Sequence, residues 1–173
     1  MSDHAFPVHA PTAVLRSTGK ASVVPATGLP ACAPLGPVID RELAMCRRNG
    51  SSLVVLSIGL DRFEAVGQRH GDEVATQVLQ ALWNRFRNHL RGSDLAVRVG
   101  PSEFGAVLVN AGWPAAAIVD ARLTDALTQP YGIGTLEIVV SAHTGAAVYP
   151  RAGSNGDALM NAAIQARELK LRT

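Results

Sequence analysis

Apolar positions along the chain alternate between helical and strand periods. Between Asp72 and Leu90 they recur every three or four residues, which predicts a long helix with one side facing a core. Residues 51–60, SSLVVLSIGL, form a continuous apolar run of strand length, which indicates a buried central strand. Apolar segments near 94–99 and 103–109 flank the tight Gly-Pro-Ser at 100–102 and predict a β-hairpin.

The remaining segments complete an ordered series of helices and strands. Helices are predicted at 37–48, 61–68, 113–128 and 157–171, and one further strand at 136–150. Proteins with this mixture bury the apolar sides of their helices against a β-sheet. The expected fold class is therefore α/β or α+β, with one sheet covered by helices.

Composition narrows the class of protein. A length of 173 residues suits one domain, and 47% apolar with 17% charged residues is typical of a globular protein. A net charge of +2 is too small to indicate a nucleic-acid partner, and no apolar run is long enough to span a membrane. Without a signal-peptide pattern or a disulfide framework, we expect a cytoplasmic protein. Residues 1–22 are rich in Pro, Ser, Thr, Ala and His, which predicts a flexible arm before a domain at 23–173.

Five short motifs follow one another in a fixed order. They are ATGLP at 26–30, LDRFE at 60–64, RGSDLAVRVGPSEF at 91–104, HTGAAVYP at 143–150 and DALMNAAIQA at 157–166. Their order and spacing resemble those of the GGDEF domain, the fold of bacterial diguanylate cyclases. The resemblance implies a nucleotide-cyclase-like fold, with a mostly antiparallel sheet surrounded by helices. It also implies that the hairpin carries a degenerate form of the family signature.

The resemblance also assigns roles to positions, and several of these hold other residue types here. GGDEF domains condense two GTP molecules into cyclic di-GMP with Mg²⁺, an ion that prefers anionic oxygen ligands. The two carboxylate ligands of the family are matched here by Gly59 and Ser102, and its guanine-contacting residues by Gly67 and Thr76. Glu64 stands at the family's phosphate-favouring lysine. We therefore expect no catalytic residues, no Mg²⁺ site and no remaining diguanylate cyclase activity.

A second nucleotide site of the family, the I-site, is matched by its motif RxxD. Arg91 and Asp94 occupy the two motif positions, and Arg122 lies at about the position where the family often carries a further arginine of that site. The arginine fork can bond bidentately to guanine or phosphate, and the aspartate can accept guanine N–H groups. The same pattern also occurs out of register at 69–72 and 122–125. A simpler alternative is that Arg91 and Asp94 only cap a helix end.

These residues support two functional hypotheses. The first is an inactive GGDEF-domain protein that acts as a cyclic di-GMP receptor in bacterial signalling, through Arg91, Asp94 and Arg122. Ligand binding would then couple to a protein partner or join two copies into a homodimer. The alternative is a nucleotide-independent interaction module that regulates a signalling partner. Metal-free GTP binding is a weaker third hypothesis, since Glu64, Gly67 and Thr76 disfavour it.

Overall fold

An antiparallel β-sheet with helices on both faces forms the framework of the molecule. A computed structural model describes Leu15–Arg16 and residues 28–173 of the chain. The helices are α1 (Gly36–Asn49), α2 (Glu64–His70), α3 (Asp72–Asn88), α4 (Trp113–Thr128) and α5 (Gly156–Leu171). The strands are β1 (Leu15–Arg16), β2 (Leu53–Asp61), β3 (Leu95–Gly100), β4 (Glu103–Val109), β5 (Tyr131–Ile133), β6 (Leu136–Ile138) and β7 (Ser141–Tyr149). The main sheet has the strand order β1-β3-β4-β2-β7, and β5 pairs with β6 separately.

The central strand β2 is buried on both faces, which explains its continuous apolar sequence. Val54 and Leu56 belong to one core with α3 and α4, whereas Leu53 and Val55 belong to a second core with α1 and α5. Alternate residues of a strand point to opposite faces, so both sets must be apolar when helices cover both faces. The predicted sheet covered by helices is therefore confirmed.

Helix α3 holds the β3–β4 hairpin to the core through aromatic side chains. The ring centroid of Trp83 lies 5.7 Å from that of Phe104 and 5.9 Å from that of Phe86. All three side chains are buried, and such tilted aromatic pairs stabilise a core beyond the area that they bury. The apolar stripe predicted for this helix is confirmed, and it places the hairpin end beside α3.

The prediction of a single strand at 136–150 is wrong. The segment divides into β6 and β7, and β5 precedes β6 in a short hairpin that the apolar pattern does not predict. Gly134 adopts a positive φ of 60° at the turn of this hairpin, a conformation that favours glycine. Strands of three residues are too short for an alternating pattern to be recognised.

The predicted flexible arm at 1–22 lies outside the described residues, apart from β1. That strand pairs with β3 at the edge of the sheet, with Leu15 opposite Ala96 and Arg16 opposite Leu95. The division into an arm and a domain stays a prediction. Within the described ranges, the helices are all too short or too polar to cross a bilayer.

Candidate functional site

A surface cavity lies between the turn after α3 and the outer side of α4. It has a volume of about 440 Å³. The residues that line it are Asn88, His89, Leu90, Arg91, Ala115, Ile118, Val119 and Arg122. A smaller adjoining cavity is lined by Arg91, Asp94 and Arg122 together. The three residues predicted from the RxxD motif therefore meet at one place on the surface.

Asp94 organises the turn beneath this cavity. Its side chain is buried, with 3% of the residue exposed. Oδ2 accepts the backbone N–H of Arg91 at 2.8 Å, and Oδ1 accepts that of Val109 at 3.3 Å. The first bond closes the turn locally, and the second ties it to the end of β4. Asp94 thus orders the turn that follows α3 and does not cap the helix, which ends at its cap residue His89 with a backbone N–H bonded to the oxygens of Phe86 and Arg87.

The electrostatics of Asp94 reflect this position. Burial raises the pKa of its carboxyl above the ordinary value, since an ionised group loses hydration inside a protein. The backbone N–H groups of Arg91 and Val109 oppose that shift in pKa, and so do the positive charges of Arg91 and Arg122. The pKa of Asp94 is raised overall, because the effect of burial is the largest.

Arg122 connects α4 to the end of α3. Its Nη2 donates a hydrogen bond to the backbone oxygen of His89 at 2.7 Å. This bond holds the guanidinium at the rim of the cavity, on the same side as Arg91. Two guanidinium groups above one buried carboxylate form a surface suited to an anionic ligand with flat, polar edges.

The out-of-register copies of the motif do not form comparable sites. Arg69 lies near the end of α2 and Asp72 begins α3, and Arg69 lines a different cavity, beside the β6–β7 connection. Arg122 and Asp125 both lie within α4. Register, rather than the text of the motif, therefore selects the place where the charges converge.

A second polar region lies where β2 and β4 meet the hairpin end. Gly59 pairs with Glu103 on one side and with His143 on the other. The side chain of Arg167, from α5, reaches this row of paired residues, Glu103, Gly59 and His143. Its Nη1 donates to Ser57 Oγ at 3.1 Å, and its Nη2 forms an ion pair with Glu103 Oε1 at 3.0 Å.

The sequence patterns do not single out Arg167, although one signal was present. Leu159, Ala163 and Arg167 recur every four residues along α5, and all three are buried. Four-residue spacing places residues on one face of a helix, so this arginine belongs to the core-facing side. Gly145 allows the close approach, because a Cβ there would overlap the backbone oxygen of Ala163 and the nitrogen of Arg167.

The residues at this region do not fit a divalent cation. Gly59 supplies no side chain and Ser102 supplies a neutral hydroxyl, at the two positions that the sequence resemblance matches to metal-binding carboxylates. The guanidinium of Arg167 lies against Gly59, where it would repel a metal ion. In the part of the chain that the structure describes, no group of three or more His, Cys, Asp or Glu side chains is placed to hold a metal ion.

Comparison with known proteins gives consistent matches. The family model described as "Diguanylate cyclase, GGDEF domain" matches residues 22–171. The bifunctional diguanylate cyclase/cyclic di-GMP phosphodiesterase MucR of Pseudomonas aeruginosa is 32% identical over 135 residues, which are 78% of this chain and 20% of MucR. Diguanylate cyclase DgcP of the same organism is 32% identical over 89 residues, which are 51% of this chain and 13% of DgcP. The chain thus spans a fifth or less of the length of these two relatives.

A solved structure agrees with the fold. The crystal structure of diguanylate cyclase SiaD in complex with its activator SiaC, from Pseudomonas aeruginosa, is 28% identical with a TM-score of 0.76. The match covers 86% of this chain and 57% of that one. The expected nucleotide-cyclase-like fold is confirmed.

One expectation is corrected by the same comparisons. The prediction that the chain is not an enzyme is wrong, because matched relatives such as DgcP are named diguanylate cyclases and the family model is that of the cyclase domain. The prediction rested on side chains at single positions, chiefly Gly59 and Ser102. The absence of two expected ligands describes the chemistry of those positions, and the loss of a reaction does not follow from it alone.

Proposed function

Because the chain belongs to the GGDEF family of diguanylate cyclase domains, we propose that it takes part in cyclic di-GMP signalling by binding this dinucleotide at the cavity beside α4. The observation that carries the proposal is the convergence of Arg91 and Arg122 on one cavity above the buried Asp94. Family membership supports the proposed chemical class of the ligand, and the convergence of the arginines supports the proposed place.

The ligand and the cavity have complementary chemistry. Cyclic di-GMP carries two phosphates and two guanine bases, and each guanine presents its O6 and N7 acceptors along one edge. A guanidinium fork can donate two parallel hydrogen bonds to such an edge or to a phosphate. Arg91 and Arg122 supply two forks at one cavity, so one ligand can use both.

Asp94 has a positioning role in this proposal. Its oxygens hold the backbone of Arg91 and Val109, which keeps the turn in the shape that presents Arg91 to the cavity. A carboxylate has more acceptor positions than these two bonds use, so it can also accept a guanine N–H. Loss of Asp94 should therefore weaken binding through the geometry of Arg91 as well as through direct contact.

The apolar side of the cavity suits the face of a base. Ile118 is 65% exposed, and with Ala115 it lines the cavity next to the arginines. A purine ring against these side chains would remove apolar surface from water while its polar edge meets a guanidinium.

Isothermal titration of cyclic di-GMP into the purified chain tests the proposal. We expect saturable binding, weakened by roughly 10- to 100-fold in Arg91→Ala and in Arg122→Ala, because a hydrogen bond to a charged group contributes about 1.5–3 kcal/mol. Arg69→Ala is the matched control, since it removes an arginine from the same motif out of register. Absence of binding by the intact chain, or equal losses in Arg91→Ala and Arg69→Ala, would overturn the proposal.

A second candidate function is docking of a partner protein, favoured by the exposed apolar side chains of α4. Trp113 and Ile118 are 60% and 65% exposed. Large exposed apolar side chains are a feature of interaction surfaces, and these two line separate cavities on either side of α4. This candidate requires that cyclic di-GMP leave the melting temperature unchanged, whereas a ligand that binds the folded chain would raise it.

A further inference from the structure

A buried arginine lies at the polar end of the central sheet. Only 10% of the Arg167 side chain is exposed. Burial of an unpaired charge is costly, so this guanidinium needs close polar partners. The partners are the hydroxyl of Ser57 at 3.1 Å and the carboxylate of Glu103 at 3.0 Å.

The space for this guanidinium comes from a missing side chain. A Cβ on Gly59 would lie 2.7 Å from Arg167 Nη1 and 2.9 Å from its Cζ. Real Cβ atoms do not approach heavy atoms this closely. A side chain at position 59 would therefore occupy volume that the guanidinium now fills, so the flexible end of Arg167 would have to shift to make room for it.

The charges around this volume favour one cation. Glu103 faces Gly59 across β2 and β4 and is already paired with Arg167. His143 faces Gly59 from β7, and its Nε2 is 3.0 Å from the hydroxyl of Ser141. A guanidinium beside the one acidic side chain of this row provides the positive charge that a metal ion would otherwise supply.

We propose that Arg167 is the resident cation of the site formed by Gly59 and the end of the β3–β4 hairpin, called the hairpin site. By the sequence resemblance, GGDEF domains hold a divalent metal ion in this place. Through Glu103, Arg167 also links α5 to the first residue of β4, so one side chain supplies both the charge and the cross-link. The inference concerns metal binding at the hairpin and is independent of the proposed dinucleotide cavity beside α4.

Manganese binding, followed by electron paramagnetic resonance of the free ion, tests the inference on the full chain without nucleotide. The wild type should have no saturable Mn²⁺ site at the hairpin. The double variant Gly59→Asp/Ser102→Asp restores two carboxylates but keeps the arginine. Addition of Arg167→Leu to it should strengthen Mn²⁺ binding at least tenfold, whereas addition of Arg172→Leu, an exposed arginine after the same helix, should not.

Several outcomes would overturn the inference. Mn²⁺ binding by the wild type that is lost in Glu103→Gln would place a metal ion where the arginine should be. Equal Mn²⁺ binding with and without Arg167→Leu in the double variant, including no binding by either, would remove its role as the competing cation.

A second measurement needs no variant. In amide NMR spectra of the wild type, dilute Mn²⁺ should leave the signals of Gly59 and Glu103 no broader than that of Gly132 in the separate β5–β6 hairpin. Selective broadening of Gly59 and Glu103 would overturn the inference even if the substituted chains do not fold.

Discussion

Replacement of Asp94 by alanine should destabilise the fold, although the residue belongs to a candidate ligand site. The residue is 3% exposed, and its carboxylate accepts two backbone N–H groups, from Arg91 at 2.8 Å and from Val109 at 3.3 Å. Alanine would leave both donors without these bonds. A buried donor that loses its partner costs about 1–3 kcal/mol, and the longer bond belongs at the lower end, so we expect a loss of about 2–4 kcal/mol in the free energy of unfolding.

Asparagine should be tolerated better at this position. It keeps one acceptor oxygen and the shape of the side chain, so Asp94→Asn should cost roughly half as much, about 1–2 kcal/mol. Urea unfolding at pH 7, followed by circular dichroism, measures both values. Asp125→Ala, an exposed aspartate on α4, is the matched control and should change stability by less than about 0.5 kcal/mol. A loss in Asp94→Ala no larger than in this control would refute the reasoning.

The pH dependence of stability in Asp94→Asn gives an independent check of the electrostatics of Asp94. Burial raises the pKa of Asp94 in the folded chain above its value of 3.8 in the unfolded chain, so the folded state binds this proton more tightly. The resulting contribution to stability is complete below pH 3.8 and is lost as the pH rises through the folded pKa. The advantage of the wild type over Asp94→Asn should therefore grow on acidification, and an advantage that shrinks would contradict the assigned direction.

Two further predictions concern the helix packing and the buried tyrosine. Gly145→Ala should lower the free energy of unfolding by about 1–3 kcal/mol, because its methyl group overlaps the backbone of α5. Gly132→Ala should cost far less, since a Cβ there meets nothing within 4 Å. Equal costs of the two substitutions in urea unfolding would contradict the packing. Tyr131→Phe removes a buried hydroxyl that donates to the backbone oxygen of Leu127 at 2.8 Å and should cost about 0.5–1.5 kcal/mol. Burial raises the pKa of Tyr131 to about 12, so the wild type should lose more stability than Tyr131→Phe as the pH rises from 10 to 12; parallel losses would count against this.

Sequence periodicity was sufficient to predict the long helices α3 and α4. Helix α4 has the predicted bounds of 113–128, and α3 begins at the predicted Asp72 and ends two residues before the predicted Leu90. Both helices have apolar stripes longer than three turns, and such stripes need a partner surface wherever they occur. The β5–β6 hairpin was missed, since its strands of three residues contain too few positions for a period.

The sites depended on contacts between distant parts of the chain. The register of the motif pointed to Arg91 and Arg122, which line one cavity, but the bond from Asp94 to Val109 joins residues fifteen positions apart and leaves no local pattern. An arginine in a helix is usually exposed, so the residue type alone predicts a solvated Arg167. Only the packing of α5 on Gly145 and Gly59 turns this side chain toward Ser57 and Glu103.

Amide chemical-shift mapping with cyclic di-GMP tests the central claim most directly, because it reports both binding and its location. The account predicts saturable shifts at the turn of 91–94 and along 115–122 of α4, which in Arg91→Ala require roughly 10- to 100-fold more ligand. It is contradicted if the ligand causes no shifts, or if the shifts centre on Gly59 and the hairpin end at 100–103.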